Sequence, residues 1–141
     1  MVPLPRWMRT ALWVTAVMNM GVALVVSPLV NAGPVLLSLP AAEPLYLWIV
    51  AQFIFIFGLG YGWCALSGHA PRLFIALAAG GKLAFFITVA SFWGIGQLPL
   101  KAAAAASADL VFGLLFVCWL YQVRDSVPAL ARGSTTAAPL R

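Results

Sequence analysis

Four runs of roughly twenty residues, each apolar and nearly free of charge, constrain this chain more than any motif in it. Crossing a hydrocarbon core of about 30 Å takes about 20 apolar residues in a helix. The runs extend from about Thr10 to Val26, Leu45 to Leu66, Leu73 to Trp93 and Ala103 to Val123. Where no water can reach the backbone, each segment must satisfy its own amides and carbonyls, and that selects helix. The 141 residues therefore have room for four passes with short connections and no second domain. Composition agrees: 64% of residues are hydrophobic and only 8% charged, against about a quarter charged in a typical soluble domain. The expected fold is an all-α membrane protein, a bundle of four transmembrane helices over residues 1–124. Residues 125–141, rich in Ala, Ser, Thr and Pro, read as a flexible tail.

The first run follows a basic start containing Arg6 and Arg9 and precedes Val30-Asn31-Ala32, a small-residue stretch of the cleavage-site type. Its apolar length exceeds the roughly 7–15 residues of a signal segment, so it reads as a retained helix. The net charge of +5 does not indicate nucleic acid, because the basic residues are scattered singly. Topology accounts for them instead. Arg6, Arg9, Arg72, Arg124, Arg132 and Arg141 fall on one side of the spans, and Lys101 alone falls opposite. The positive-inside rule then sets both termini in the cytoplasm. A bias to arginine over lysine, together with the alanine content, suggests a bacterial inner membrane. Trp7, Tyr46, Trp48, Trp93, Trp119 and Tyr121 fall near the expected interfaces, where amphipathic rings are favoured.

Between the first two spans, prolines 28, 34, 40 and 44 interrupt an apolar stretch containing Val35, Leu36, Leu37 and Leu39. Proline opposes regular helix and exposed leucines seek an apolar partner. This connection is expected to lie on the membrane surface or over the outer mouth of the bundle. The turn Ser67-Gly68-His69-Ala70-Pro71-Arg72 joins the second and third spans, with His69 read as a solvated loop residue.

Only Lys82 and Asp109 are ionisable and well inside the spans. A charge alone in hydrocarbon costs at least a few kcal/mol, so each should face the bundle interior and find a partner. At about 1.5 Å per residue, Lys82 lies about 15 Å from the level of Arg72 and Asp109 about 22 Å from that of Arg124, an offset that a lysine stem bridges. The same count places Asn19 near Lys82 in depth and Gln52 near Asp109, giving one polar layer drawn from all four helices. Thr15 lies one turn from Asn19, and Ala78, Ala79, Ala105, Ala106 and Gly113 surround the charges with small side chains. Tyr61, in the inner half of its helix, reaches either an internal acceptor or the interface. The layer Lys82, Asp109, Asn19, Gln52 and Tyr61 is thus either a clasp that sets helix register or a polar pocket for a ligand, proton or ion.

Gly58, Gly60 and Gly62 follow no strand and so do not form a nucleotide loop. Gly58 with Gly62, and Ala76 with Gly80 and Ala84, form small-xxx-small faces for close helix packing. Cys64 and Cys118 lie at similar depth in apolar surroundings and read as packing residues. The sequence contains no paired-cysteine, metal-ligand or nucleophile-elbow motif and specifies no cofactor.

Gly60-Tyr61-Gly62 before a basic turn, Gly81-Lys82-Leu83 in the third span, and Ala108-Asp109-Leu110 with Phe112 and Phe116 in the fourth resemble small bacterial four-helix membrane proteins. More loosely, the pattern is similar to the DoxX-like group. That resemblance implies an accessory role beside quinone-associated or thiol-redox membrane complexes; this chain has no cysteine pair suited to thiol chemistry.

Three functions follow as expectations. The first is an accessory or structural subunit that docks a membrane-protein partner or a second copy within the lipid bilayer. The second is a small binding or transport protein that admits a lipophilic molecule or proton to the polar layer. Enzymatic use of Lys82 and Asp109 has the least support.

Overall fold

A computed structural model describes residues 1–30 and 32–124. The expected tail, with Arg132 and Arg141, and Asn31 lie outside the described residues. Four long helices form, α1 (Arg6–Val26), α3 (Pro44–Ser67), α4 (Arg72–Gly94) and α5 (Leu100–Gln122), and each is long and apolar enough to cross a membrane. A short helix α2 (Gly33–Leu37) lies between α1 and α3, and strands β1 (Val2–Pro3) and β2 (His69–Ala70) pair antiparallel. The all-α four-helix class is therefore the observed one.

Proline sets where each long helix begins. Pro5, Pro71 and Pro99 precede α1, α4 and α5 in extended conformation, and Pro44 occupies the first turn of α3. A fixed φ and a missing N–H cost nothing there, because the first-turn amides have no intrahelical acceptor. The helices start up to four residues earlier than the hydropathy runs, since polar or small first-turn residues such as Arg6 and Lys101 extend them toward water. Gly68 ends α3 in the left-handed region at φ 70°, with its N–H on the carbonyl of Cys64 at 3.1 Å.

The bundle is built from two helix pairs, α1 along α3 and α4 along α5. Within the first pair, Gly58 lets the backbones close: a Cβ there would stand 3.2 Å from Asn19 Cβ and 3.5 Å from the carbonyl of Ala16. Within the second, a Cβ on Gly113 would meet Leu83 at 2.9 Å and the carbonyl of Ala79 at 3.6 Å. Gly58 and Gly62 thus serve the packing role expected of them. Ala76, Gly80 and Ala84 do not: all three are exposed, and nothing approaches within 4 Å of a Cβ at Gly80. The α4–α5 contact instead uses Ala79, Leu83 and Gly113, together with the buried Ala102, Ala103 and Ala106.

The two pairs share a buried core at one end. Met8 and Leu12 of α1, Tyr61 and Ala65 of α3, Ile75 of α4, and Phe116 and Trp119 of α5 form the buried core there. This is the end that carries Arg6, Arg9, Arg72 and Arg124. The N-terminal segment fastens it. Leu4 donates its N–H to Gly68 O at 2.9 Å, and Arg9 Nε donates to the carbonyl of Ala65 at 2.6 Å, where the last turn of α3 has acceptors to spare. The sequence reading treats Arg9 as a topology signal alone; its side chain also caps α3.

Pro34 stands in the first turn of α2, where proline is compatible with helix, so a helical turn forms. Leu29, Val35 and Leu36 are exposed at 74, 78 and 61%. The anchorage of this connection is local, through Ala32 N–H on Val25 O at 3.2 Å.

Candidate functional site

Above the shared core the two pairs separate, and the space between them is a cavity of about 270 Å³ lined from all four long helices. At its floor Lys82 Nζ of α4 forms an ion pair with Asp109 Oδ1 of α5. Helix geometry brings the two together: α4 and α5 run antiparallel, and Ala79 and Gly113 lie one turn to the core side of Lys82 and Asp109 and hold the backbones close. The lysine side chain is 10% exposed and the aspartate side chain 28%. The carboxylate is thus the partner more open to the cavity.

Aromatic rings surround the pair. Lys82 Nζ stands 5.8 Å from the Tyr61 ring centroid and 5.9 Å from that of Phe112, within range of a cation–π attraction. Phe53 and Phe57 of α3 and Phe85 of α4 extend the aromatic wall outward. Below, Tyr61 packs against Phe57, Phe74 and Phe116 at centroid separations of 6.1, 5.6 and 5.7 Å, closing the cavity toward the arginine end. Gly60 permits that closure, because a Cβ there would stand 2.6 Å from the Phe74 ring.

Of the polar layer expected from sequence, Lys82, Asp109, Asn19 and Tyr61 line this one cavity. Asn19 Nδ2 donates to the carbonyl of Ile54 at 3.2 Å, tying α1 to α3 and leaving its own carbonyl oxygen without a donor among the described residues. Thr15 also lines the cavity, with its hydroxyl on Ala11 O at 2.8 Å. Tyr61 neither snorkels nor finds an acceptor among the described residues; it is 2% exposed, at the cavity floor. Gln52 is the correction. It is exposed and does not line the cavity, because it sits on the outer face of α3 with Ile56, Leu59 and Trp63. Its rotation about the helix axis turns it away from the cavity, and Tyr61 is the polar residue that α3 contributes.

No family model, curated protein or solved structure matches this chain. What sequence reasoning missed is the aromatic wall, although its spacing was visible: Phe53, Phe57 and Tyr61 recur every fourth residue, Phe85 follows Lys82 by three, and Phe112 follows Asp109 by three. The two cysteines are both free thiols. Cys64 is buried, whereas Cys118 is exposed and accepts from Gln122 Nε2 at 3.7 Å. His69 is exposed, as expected, with Nδ1 2.9 Å from Ser67 O.

Proposed function

We propose that this protein binds a lipid-phase small molecule in the cleft between its two helix pairs, with both termini on the cytoplasmic side of the inner membrane. The observation that carries this reading is the cavity itself, about 270 Å³, walled by phenylalanines and floored by one ion pair. An ion pair used only to fix register gains from tight packing around it, whereas here the outer side of the pair is open. The lips of the cleft, Val22, Phe53, Leu77 and Phe85, are 45–62% exposed. In a bilayer they meet acyl chains, so a lipophile enters sideways without crossing water.

Native mass spectrometry of gently solubilised protein tests this. Wild type should retain a small molecule. Gly81→Phe should lose it, because residue 81 lines the cavity and its Cβ has nothing within 4 Å, so a ring there fills space without disturbing the helices. Identical spectra for the two proteins would reject the reading. A second reading, an accessory subunit of DoxX-like kind, is favoured by the exposed face Ala76, Gly80 and Ala84. Small residues on an outer helix face permit close approach of another membrane helix. A co-purifying protein with no retained small molecule would favour it.

A further inference from the structure

We propose that the occupant of this cleft is a lipophilic organic cation, and that Lys82 is its built-in competitor for Asp109, so that each cation bound releases one proton. This rests on the binding role proposed above and adds the charge of the ligand and its coupling to protons.

The site already holds a cation. The Lys82 ammonium sits against one carboxylate oxygen and between two aromatic rings, at 5.8 and 5.9 Å from their centroids. Those are the contacts by which proteins recognise ammonium and related ligands. Access favours exchange at the carboxylate: Asp109 is 28% exposed against 10% for Lys82, and Oδ2 has no partner among the described residues. Further rings at Phe53, Phe57 and Phe85 line the way in. Their faces carry the negative lobe of the ring quadrupole, which attracts cations and repels anions.

Charge balance supplies the coupling. The occupied pair is neutral overall, and adding a cation while retaining every proton would leave a net positive charge in a low-dielectric site. The titratable groups facing the cavity are Lys82 from α4, Asp109 from α5 and Tyr61 from α3; α1 contributes Thr15 and Asn19, which do not titrate. The exchange therefore reads: Lys82–NH3⁺ paired with Asp109–COO⁻, plus a cation, becomes neutral Lys82–NH2, the Asp109–cation pair, and one proton delivered to water. Only an N–H bond is broken, and no oxidant or reductant is involved. The count is the same wherever along the Lys82–Asp109 hydrogen bond the shared proton resides.

Isothermal titration of the full-length protein in nanodiscs with tetraphenylphosphonium tests this, repeated in two buffers of different ionisation enthalpy to count protons. About one proton should be released per cation bound. Because release is favoured as pH rises, the apparent Kd should fall about tenfold per pH unit while the pair remains protonated. Measured above the pH at which the stranded Asp109 carboxyl ionises, Lys82→Met should bind more tightly, release no proton and lose the pH dependence, while Tyr61→Phe should still release one proton. Asp109→Asn should abolish the saturable heat. Tetraphenylborate, of nearly the same shape and opposite charge, should show no saturable binding that Gly81→Phe removes. Saturable binding of the borate at this cleft but not of the phosphonium would overturn the cation assignment and leave the binding role standing. Phosphonium binding without proton release would overturn the coupling. No cleft-dependent binding of either ion, with no retained molecule by mass spectrometry, would overturn both readings.

Discussion

Lys82 and Asp109 are each costly alone in hydrocarbon, and together they form a neutral, hydrogen-bonded unit. Removing one strands the other. Lys82→Met and Asp109→Leu should each lower stability in detergent by on the order of 3 kcal/mol, and the double variant should lose less than the sum. A thermal double-mutant cycle measures that coupling, and additive losses would show that the residues do not act as a pair. Asn19 and Tyr61 act differently at this scale. Asn19 spends its donor on the backbone of α3, and Tyr61 offers a ring face to the lysine while its hydroxyl takes no partner among the described residues. The ion pair was legible in the sequence, because one lysine and one aspartate inside apolar runs leave little choice of partner. The rotation of Gln52 depends on which face of α3 is turned inward, and apart from Gln52 the stretch from Ile49 to Leu59 is so uniformly apolar that no stripe marks that face.

At the level of elements, close packing is specified by particular glycines. Gly58→Ile should lower the melting temperature clearly, because its side chain must displace Asn19 and the α1 backbone. Overpacking of this kind costs about 1–3 kcal/mol. Gly80→Ile, where a Cβ has nothing within 4 Å, should leave the melting temperature of the monomer within a degree or two of wild type. Thermal melts of the two variants side by side check this, and equal losses would mean that α4 is buried on the face that is exposed here. Both glycine sets look alike in sequence. The difference arises because α3 turns its small face to α1, whereas α4 uses the adjacent face, with Ala79 and Leu83, against α5. Spacing reveals that a helix has a close-packing face; it does not reveal which of two such faces meets a neighbour. Helix ends were more legible, since proline stands at the start of every long helix.

For the whole molecule, the number and length of spans follow from hydropathy alone, and the described helices match them. The division into two pairs does not follow from hydropathy. It arises where aromatic side chains fill the arginine end, with Tyr61, Phe116 and Trp119 fully packed, while small residues at the other end hold each pair together without joining the pairs. Orientation is a separate prediction. Four of the arginines, Arg6, Arg9, Arg72 and Arg124, lie at the end where the strands pair, and Lys101 lies in the first turn of α5 at the opposite end. Reporter fusions at both termini should give cytoplasmic signals; a periplasmic signal from the C-terminus would contradict four spans. The proposed binding role requires Asp109 to face a cleft reached from lipid rather than from water. Mass spectrometry of membranes treated with a carbodiimide measures this at the residue itself. The hydrophobic dicyclohexylcarbodiimide should modify Asp109 in wild type and not in Gly81→Phe, and a water-soluble carbodiimide should leave Asp109 untouched. Equal modification by the two reagents, or none by the hydrophobic one, would show that Asp109 does not face such a cleft.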